Sequence, residues 1–556
     1  MFTISRNLSI SLVTIALAIA CPAANAANPK AANHPLCKSI AQGKIQASTG
    51  AQSFCFGAQV NAPVRQLNAP VTSSGTAMFR TNVDAASLAE DVSPGGVRAF
   101  GQSETSIASA GSYVVEAWND STGFFSPCPS PKHKEQLTGF GFSNNGGNSF
   151  KDLGGTPVAD CNTTINEGDP AVEAYTVGGK TYFYISQITI PFNIAENGIG
   201  LNACQVVGSG STATLSCNNT ILAAISSDCF QGFFCSFLDK DFITIDPGRK
   251  RLYISYTEFG VNTVSFAGQV EVAVCDISTP MAPVCSNGSA GAQAPPYIVV
   301  AHGNPNCESE GSYPGVDRTT GDLYVAYEFN WATNLFNLFS CGNVPTKEVV
   351  TRLPKSCLPA SGSSPCSPPF THNSVKIVSM DSAFIPGYNR FPMNDFPRIA
   401  VSHPKGTVSV VWNDAGKNPL GNILLQSFAL GSLSRIQSKP VALNSDVGAF
   451  NWHFLPAVRQ ASGTGLINVS WYDRRNNPGT ALTDVFSALN VDPRTTATPS
   501  SNFQVNDATS NWLAVSSDII PNFGDYTDNY LTTLGLYVAW SDGRIGEPQP
   551  FSTRSR

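Results

Sequence analysis

Short apolar strands alternate with polar turns along most of this chain, and one hairpin pattern returns seven times. Each copy has a polar or acidic residue, a short apolar strand, a turn rich in Gly, Asn or Asp, and a second alternating strand. Alternation of this kind between turn signals predicts half-buried β-strands. The second strands reach a large apolar residue at Trp118, Ile185, Tyr256, Tyr327, Trp412, Trp471 and Trp540.

The spacing of these positions predicts a β-propeller. By subtraction they are 67, 71, 71, 85, 59 and 69 residues apart. A repeat of this length indicates a modular architecture, and each unit has room for the four strands of a propeller blade. We therefore predict an all-β propeller of four-stranded blades, with seven blades favoured and six possible. The last blade could be closed by the N-terminal segment.

The N-terminal residues are typical of an export signal. Arg6 precedes the apolar run "LSISLVTIALAIA", and "ANA" before Ala27 has the small residues of a cleavage site. We predict a signal peptide at 1–26, an N-terminal extension at 27–84 and the propeller at 85–556. No later apolar run is long enough for a membrane helix. The mature protein is expected to be secreted or periplasmic, without a membrane span, and a monomer.

The charge and the cysteine content of the chain indicate which partners and which covalent links to expect. The net charge is −6 and the chain has no block of Lys or Arg, which argues against a nucleic-acid partner. Without Cys21, fourteen cysteines remain of the 15, an even number that favours disulfides in an exported chain. We predict pairing between sequence neighbours: Cys37–Cys55, Cys128–Cys161, Cys204–Cys217, Cys229–Cys235, Cys275–Cys285, Cys307–Cys341 and Cys357–Cys366.

The residue before each innermost strand is the main chemical signal. These seven positions hold Glu104, Asp169, Asp241, Glu310, Asp395, His453 and Asp525. Carboxylates packed around a central channel raise one another's pKa and can act as general acids or bases. They could equally bind Ca²⁺, although no cofactor is required by the pattern. The structural alternative is that each one holds a turn or the backbone of the next blade.

A second set lies at the far end of the hairpins, where four copies read Trp-x-Asp or Trp-Tyr-Asp; the Asp residues are Asp120, Asp414, Asp473 and Asp542. Arg474, Arg475 and Arg544 follow them. Together with Arg398 and Arg318 these arginines could clamp the carboxylate of an acidic sugar, or pair with the neighbouring Asp residues.

Two further residues are candidates for catalysis. Tyr526 directly follows the ring carboxylate Asp525 and could be activated as a nucleophile, or be a core aromatic. His453 could act as the base of a lyase, or be a packed imidazole.

The stretch "FSNNGGNSF", residues 142–150, is similar to the Asp-box of sialidases. The combination of "LPAVRQ", "SWYDRR", "FGDY" and "AWSDGR" also resembles exported bacterial proteins of that superfamily. The resemblance implies a propeller in which the Asp-box is a turn between outer strands. It further implies Tyr526 as nucleophile with Glu310 as its partner, and a carboxylate clamp of Arg398, Arg475 and Arg544.

The leading hypothesis is a glycoside hydrolase acting on extracellular glycans with acidic sugars. Its candidate catalytic residues are Tyr526, Glu310, Asp395 and Asp241. Its candidate substrate-binding residues are Arg398, Arg474, Arg475, Arg544, Glu104, Asp169, His453 and Asp525. A non-catalytic propeller that binds glycan or protein stays open, because no Arg-Ile-Pro motif is present. A polysaccharide lyase with His453 or Tyr526 as base is the third possibility.

Overall fold

The computed structural model describes residues 75–89, 101–125, 136–191, 197–226, 229–230, 234–261, 267–285, 297–302, 309–330, 344–359, 366–380, 383–390 and 393–556. The predicted signal peptide lies outside them, as does most of the predicted extension, so these predictions stay untested. Among the described residues, no helix has the length and apolar character needed to cross a bilayer.

Seven antiparallel sheets follow one another along the chain, each one a blade that begins with its innermost strand. Strand β1 (Val83–Asp84) comes first and belongs to the last blade. Blade 1 has β2 (Gln102–Ala110), β3 (Tyr113–Asp120), β4 (Thr138–Ser143) and β5 (Lys151–Gly155). Blade 2 has β6 (Thr164–Val177), β7 (Lys180–Pro191) and β8 (Gly198–Val207), with β9 (Thr214–Cys217) and β10 (Ile221–Ile225) along β8. A short hairpin follows, of β11 (Cys229–Phe230) and β12 (Phe234–Cys235).

The middle blades continue the same order. Blade 3 has β13 (Phe237–Asp246), β14 (Arg251–Val261) and β15 (Ala267–Asp276), with β16 (Val284–Cys285) and β17 (Ile298–Ala301) along β15. Blade 4 has β18 (Ser309–Val316), β19 (Leu323–Phe329), β20 (Lys347–Leu353) and β21 (Thr371–Lys376). Blade 5 has β22 (Arg398–Ser402), β23 (Thr407–Asp414), β24 (Asn422–Ala429) and β25 (Val441–Ala442).

The last two blades complete the ring. Blade 6 has β26 (His453–Gln460), β27 (Ile467–Asp473) and β28 (Leu482–Val491), with β29 (Phe503–Gln504) and β30 (Ser510–Asn511) along β28. Blade 7 has β31 (Asp528–Thr532), β32 (Gly535–Asp542) and β33 (Gln549–Arg554). Within the described ranges, the helical elements are one turn of α1 (Thr122–Phe125) and three 3₁₀ turns at Gly210–Thr212, Lys355–Cys357 and Trp512–Ala514.

The seven-bladed prediction is confirmed. Each of the seven repeat markers lies on the second strand of a different blade, and all of them are buried. Strand β1 pairs antiparallel with β33, so residues before blade 1 supply the outermost strand of blade 7. This pairing joins the two ends of the ring and gives blade 7 its fourth strand.

The core lies between neighbouring blades, whose faces carry alternate apolar side chains. Between blades 2 and 3, for example, Ile199 and Leu201 pack in one cluster with Ile243 and Ile254. Burying one such side chain completely contributes about 1.5–3 kcal/mol relative to leaving it exposed. Because every blade has an apolar neighbour on both sides, the cysteine-free blades 5 to 7 hold together by packing.

In the Trp-x-Asp copies, the Asp side chain connects the buried Trp to the turn that follows the strand. In blade 6 the indole of Trp471 donates to Asp473 at 2.7 Å, and in blade 7 Trp540 donates to Asp542 at 2.8 Å. The other oxygen of each Asp accepts the backbone N–H two residues later, at 2.8 Å in both cases. The motif therefore satisfies a buried indole and closes a turn together.

Three of the predicted disulfides are present: Cys204–Cys217, Cys275–Cys285 and Cys357–Cys366. The first two bridge directly opposed residues of neighbouring strands. Three of the other predicted pairs lie wholly or partly outside the described residues. For Cys229 and Cys235 the structure describes the backbone, where the two residues are directly opposed, and not the side chains, so this pairing stays a prediction. The stretch similar to an Asp-box forms the turn between β4 and β5, where Asn145 accepts the N–H of Asn148 and Ser149, at 3.1 Å each.

Candidate functional site

Five innermost strands carry a β-bulge near their start, where the register against the second strand shifts. The bulged residue has a left-handed φ of 51° to 66° in each, at Glu104, Asp169, Lys240, Gly311 and Leu455. Such a conformation costs a non-glycine residue roughly 1–3 kcal/mol and redirects its side chain. In blades 1 to 3 the residue with this strained backbone is charged. The charged side chains therefore lie together on one side of the channel.

Lys240 is the centre of this arrangement. Its ammonium lies 2.8 Å from Asp169, 2.8 Å from Asp525 and 3.8 Å from Glu104. Asp169 and Glu104 lie on the first strands of blades 2 and 1, and Asp525 lies just before β31 of blade 7, so one buried cation links four blades. We call Glu104, Asp169, Asp239, Lys240 and Asp525 the acid–lysine cluster.

Polar neighbours complete the cluster. Asn119 at the end of β3 donates to Glu104 at 2.9 Å and to Asp169 at 3.3 Å. The segment between blades 4 and 5 reaches across the same mouth of the channel. There Arg390 pairs with Asp525, and the hydroxyl of Tyr388 donates to Asp525 at 3.2 Å.

The carboxyl groups of the cluster titrate very differently. Burial, together with the charge of Asp169, raises the pKa of Glu104 well above its ordinary value. Burial also acts on Asp169, but the Lys240 ammonium and hydrogen bonds from Glu104 and Asp239 outweigh it and hold that pKa well below the usual range. Burial raises the pKa of Asp239, which also hydrogen-bonds to Asp169, to about 7. At neutral pH the cluster therefore holds an ionised Asp169 and an Asp239 near its midpoint, beside a Glu104 whose protonated form is favoured by burial.

Two predicted catalytic residues lie beside the cluster. Burial, followed by the charges of Glu104 and Asp169, raises the pKa of Tyr526 well above its ordinary value. Its hydroxyl donates to the carbonyl of Pro170 at 3.4 Å, so the environment stabilises the neutral phenol. Asp241 follows Lys240 and is buried, and this burial raises its pKa as well.

The other two predicted catalytic carboxylates are held elsewhere. Asp395 accepts hydrogen bonds from the Ser379 hydroxyl, the Met380 N–H and the Asn413 amide. Glu310 lies opposite Glu328 on blade 4. Both carboxylates are buried beside partners from blades 4 and 5, so the described contacts of the predicted ring fall into separate groups.

His453 belongs to another group. Its Nδ1 lies 2.8 Å from the Gly421 carbonyl and its Nε2 lies 3.1 Å from Asp446. Burial lowers the pKa of His453, but its hydrogen bond to the Asp446 carboxylate and the charges of Asp473 and Asp446 outweigh it and raise the pKa above its ordinary value. A fully buried imidazole that favours its charged form is suited to holding blades together.

The predicted arginine clamp is not assembled. Arg475 pairs with Asp473 at 2.6 Å and Arg544 pairs with Asp542 at 2.8 Å, which is the alternative that the sequence left open. The buried Arg474 donates to the carbonyls of Thr480 and Pro386, at 2.9 and 2.8 Å.

Arg398 lies inside the channel itself and is 2% exposed. Its guanidinium carbon is 4.3 Å from the ring centre of Phe242, 5.0 Å from that of Tyr313 and 5.4 Å from that of Tyr526. Cation–π contacts of this kind stabilise a desolvated arginine. The channel is therefore filled in its middle by one arginine and three aromatic rings from other blades.

Sequence reasoning missed Lys240, Asp239, Arg390 and Tyr388. The signal for the first two was a lone Lys between two Asp residues at the start of an innermost strand, in "FLDKDFITI". Within the described part of the chain, no group of three or more His, Cys, Asp or Glu side chains is placed to hold a metal ion. In the acid–lysine cluster the ammonium of Lys240 lies where the carboxylates converge.

Comparisons with known proteins find solved structures at low similarity. No family model and no curated protein matches this sequence. Among solved structures, a Trypanosoma rangeli sialidase in complex with the inhibitor DANA is 9% identical with a TM-score of 0.37, covering 75% of this chain and 60% of that chain. The NanB sialidase from Streptococcus pneumoniae is 9% identical with a TM-score of 0.35, covering 89% of this chain and 70% of that one.

A GH43_1 enzyme from Xanthomonas citri complexed with xylotriose is 13% identical with a TM-score of 0.26, covering 59% of this chain and 87% of that chain. This chain thus spans about 60% of the length of the trypanosomal sialidase. Likenesses as weak as these do not indicate which activity this chain has.

Proposed function

We propose that this protein is an exported glycoside hydrolase that acts on extracellular glycans with acidic sugars, with its chemistry at the acid–lysine cluster. The supporting observation is the contact between Asp239, with a pKa of about 7, and the ionised Asp169. Glycoside hydrolysis commonly uses two carboxyl groups, one protonated and one ionised. Neighbouring carboxyl groups whose environments separate their pKa values are suited to these two roles.

Asp239 is the proposed general acid, because it is partly exposed while the other members of the cluster are buried. A pKa near 7 lets it give a proton to the leaving oxygen and take one back at neutral pH. Asp169 is the proposed ionised partner, and Glu104 is a protonated donor that positions it. Arg390 at the channel mouth supplies a guanidinium suited to a sugar carboxylate.

The test is product analysis by mass spectrometry after incubation with sialyl-conjugates and uronate polymers. We expect release of a free acidic sugar, and Asp239→Asn should lower kcat by roughly 10²–10⁴. Because the acid must be protonated, wild-type activity should fall as the pH rises through about 7. Asp276→Asn is the matched control, since Asp276 pairs with Arg251 in an outer strand of the same blade.

The outcomes separate the hypotheses. If Asp239→Asn keeps full activity while product is still formed, the assignment of the site is wrong. If no substrate gives product but a glycan or protein is retained, the protein is a binding propeller. That second function is favoured by one observation: the Lys240 contacts already neutralise the buried carboxylates of the cluster.

Two other parts of the proposal rest on separate observations. Three disulfides support residence in an oxidising compartment, because such bonds are rare in the cytosol.

The lyase alternative has less support. Its two proposed bases are the buried His453, which favours its charged form, and Tyr526, which favours its neutral form.

A further inference from the structure

The opposite end of the central channel holds a second pocket. Its cavity of about 170 Å³ is lined by six of the seven innermost strands, β6, β13, β18, β22, β26 and β31. The lining residues lie toward the ends of these strands, for example Arg459 and Gln460 at the end of β26. The acid–lysine cluster lies near the strand starts, so the two sites face opposite mouths of the propeller.

Arg459 is the main charged group in this pocket. It lies 3.2 Å from Glu173 and 3.6 Å from Asp528, and its Nε donates to the Asn529 carbonyl at 2.8 Å. These contacts use at most three of the five N–H groups of a guanidinium. The described contacts hold Arg459 in place and leave at least two of its N–H groups available to a ligand.

The pocket also offers acceptors and a second arginine. Glu173 accepts from the Tyr530 hydroxyl at 3.2 Å, and both residues line the cavity. Arg318 is exposed at the rim. Burial raises the pKa of Glu173, and the charges of Arg459 and Arg318 oppose this rise, so both guanidinium groups act on the same carboxylate.

A third cation lies behind the pocket. Arg398 and Arg459 contact the same ring of Tyr313, at 5.0 and 5.8 Å from its centre. The Nη1 of Arg398 is buried and has no hydrogen-bond partner within the described structure. A buried guanidinium with an unpaired nitrogen raises the positive potential of the channel toward this mouth, although the charge of Asp528 acts on it.

We infer that this pocket binds a single acidic monosaccharide, a uronic acid. Its volume equals about five or six water molecules at roughly 30 Å³ each, and it is below the ~300 Å³ of pockets for larger ligands. The arginines match the carboxylate, and Glu173, Tyr530 and Gln460 match the hydroxyl groups. A bare inorganic anion would leave the acceptor groups of the pocket unused.

The inference does not depend on catalysis at Asp239, because the two sites are at opposite mouths. The experiment is calorimetric titration of the full mature chain with galacturonic acid, with galactose as the neutral probe. We expect saturable binding of galacturonic acid and much weaker binding of galactose. Arg318→Gln should weaken binding roughly tenfold, the effect of losing one charge-assisted hydrogen bond.

Three controls decide the result. Arg80→Gln removes another exposed arginine, one outside the pocket lining, and should leave binding unchanged. Asp239→Asn should also bind as the wild type does, whereas loss of binding there would assign the ligand to the other mouth and overturn the inference. Three other results would overturn the inference. They are an affinity for inorganic phosphate equal to that for galacturonic acid, binding of galacturonic acid by Arg318→Gln as tight as by the wild type, and no binding by the wild type.

Discussion

Removing the central cation of the acid–lysine cluster is the sharpest test of how this fold is held together. Lys240→Met keeps a long side chain but leaves Asp169 and Glu104 without their cation, while Asp525 keeps Arg390. At an effective dielectric constant near 20, a pair at 2.8 Å attracts by about 6 kcal/mol. The variant does not have to desolvate an ammonium group, and this offsets several kcal/mol of the lost attraction.

The net loss is expected to be about 3–5 kcal/mol at pH 7, the usual cost of removing one partner of a buried pair. Protonation of Asp169 limits it, because neutralising an ordinary carboxyl group of pKa ~3.9 at pH 7 costs about 4 kcal/mol. The depressed pKa of Asp169 gives wild-type stability that is present above about pH 4 and lost as the pH falls through the folded value. Because protonating Asp169 in the variant costs less as the pH falls, the difference between wild type and variant should shrink from pH 7 toward pH 4, and the loss of the wild-type contribution should shrink it further below pH 4.

Unfolding free energies from chemical denaturation at several pH values measure this difference. Lys405→Met is a matched control, since Lys405 lies 2.8 Å from Asp492 but the two side chains are 28% and 46% exposed. An exposed pair is worth up to about 1 kcal/mol. Equal losses for the two variants, or a Lys240→Met loss that does not change with pH, would refute the reasoning.

Three other perturbations test separate parts of the ring. The raised pKa of His453 gives stability that is fully present below the unfolded value of about 6.5 and lost as the pH rises through the folded value. His453→Gln should therefore cost more at about pH 5.5 than at about pH 9 in denaturant titrations, and a constant cost would contradict this. Trp471→Phe should lose about 1.5–3 kcal/mol through its 2.7 Å bond to Asp473. Trp412→Phe, with a 3.4 Å contact, should lose less by the same assay, and the reverse order would be evidence against the turn-closing role. Replacing both Cys275 and Cys285 by Ala should lower the unfolding free energy by about 2–4 kcal/mol, and an unchanged value would show that this bridge adds no stability.

Much of the architecture could be predicted from the chain because it depends on local, repeated signals. Alternation defines strands, turn residues define hairpins, and the spacing of large apolar residues such as Trp118 and Trp540 gives the number of blades. The neighbour pairing of Cys204 with Cys217 could also be predicted, since a short loop in a hairpin brings the two residues together. Even the alternative pairing of Arg475 with Asp473 was visible, because the two residues are close in sequence.

The candidate site depends on tertiary structure. Its members come from blades 1, 2, 3 and 7, and in blades 1 to 3 a bulge decides which residue of the innermost strand turns inward. A shift of one residue exchanges Lys240 for Asp241 and reverses the charge at the centre of the cluster, and hydrophobic alternation does not locate such a shift. The sequence by itself therefore determined the ring of seven blades, which follows from local periodicity. Only the folded structure decided which charges meet, because that depends on register and on distances across the channel.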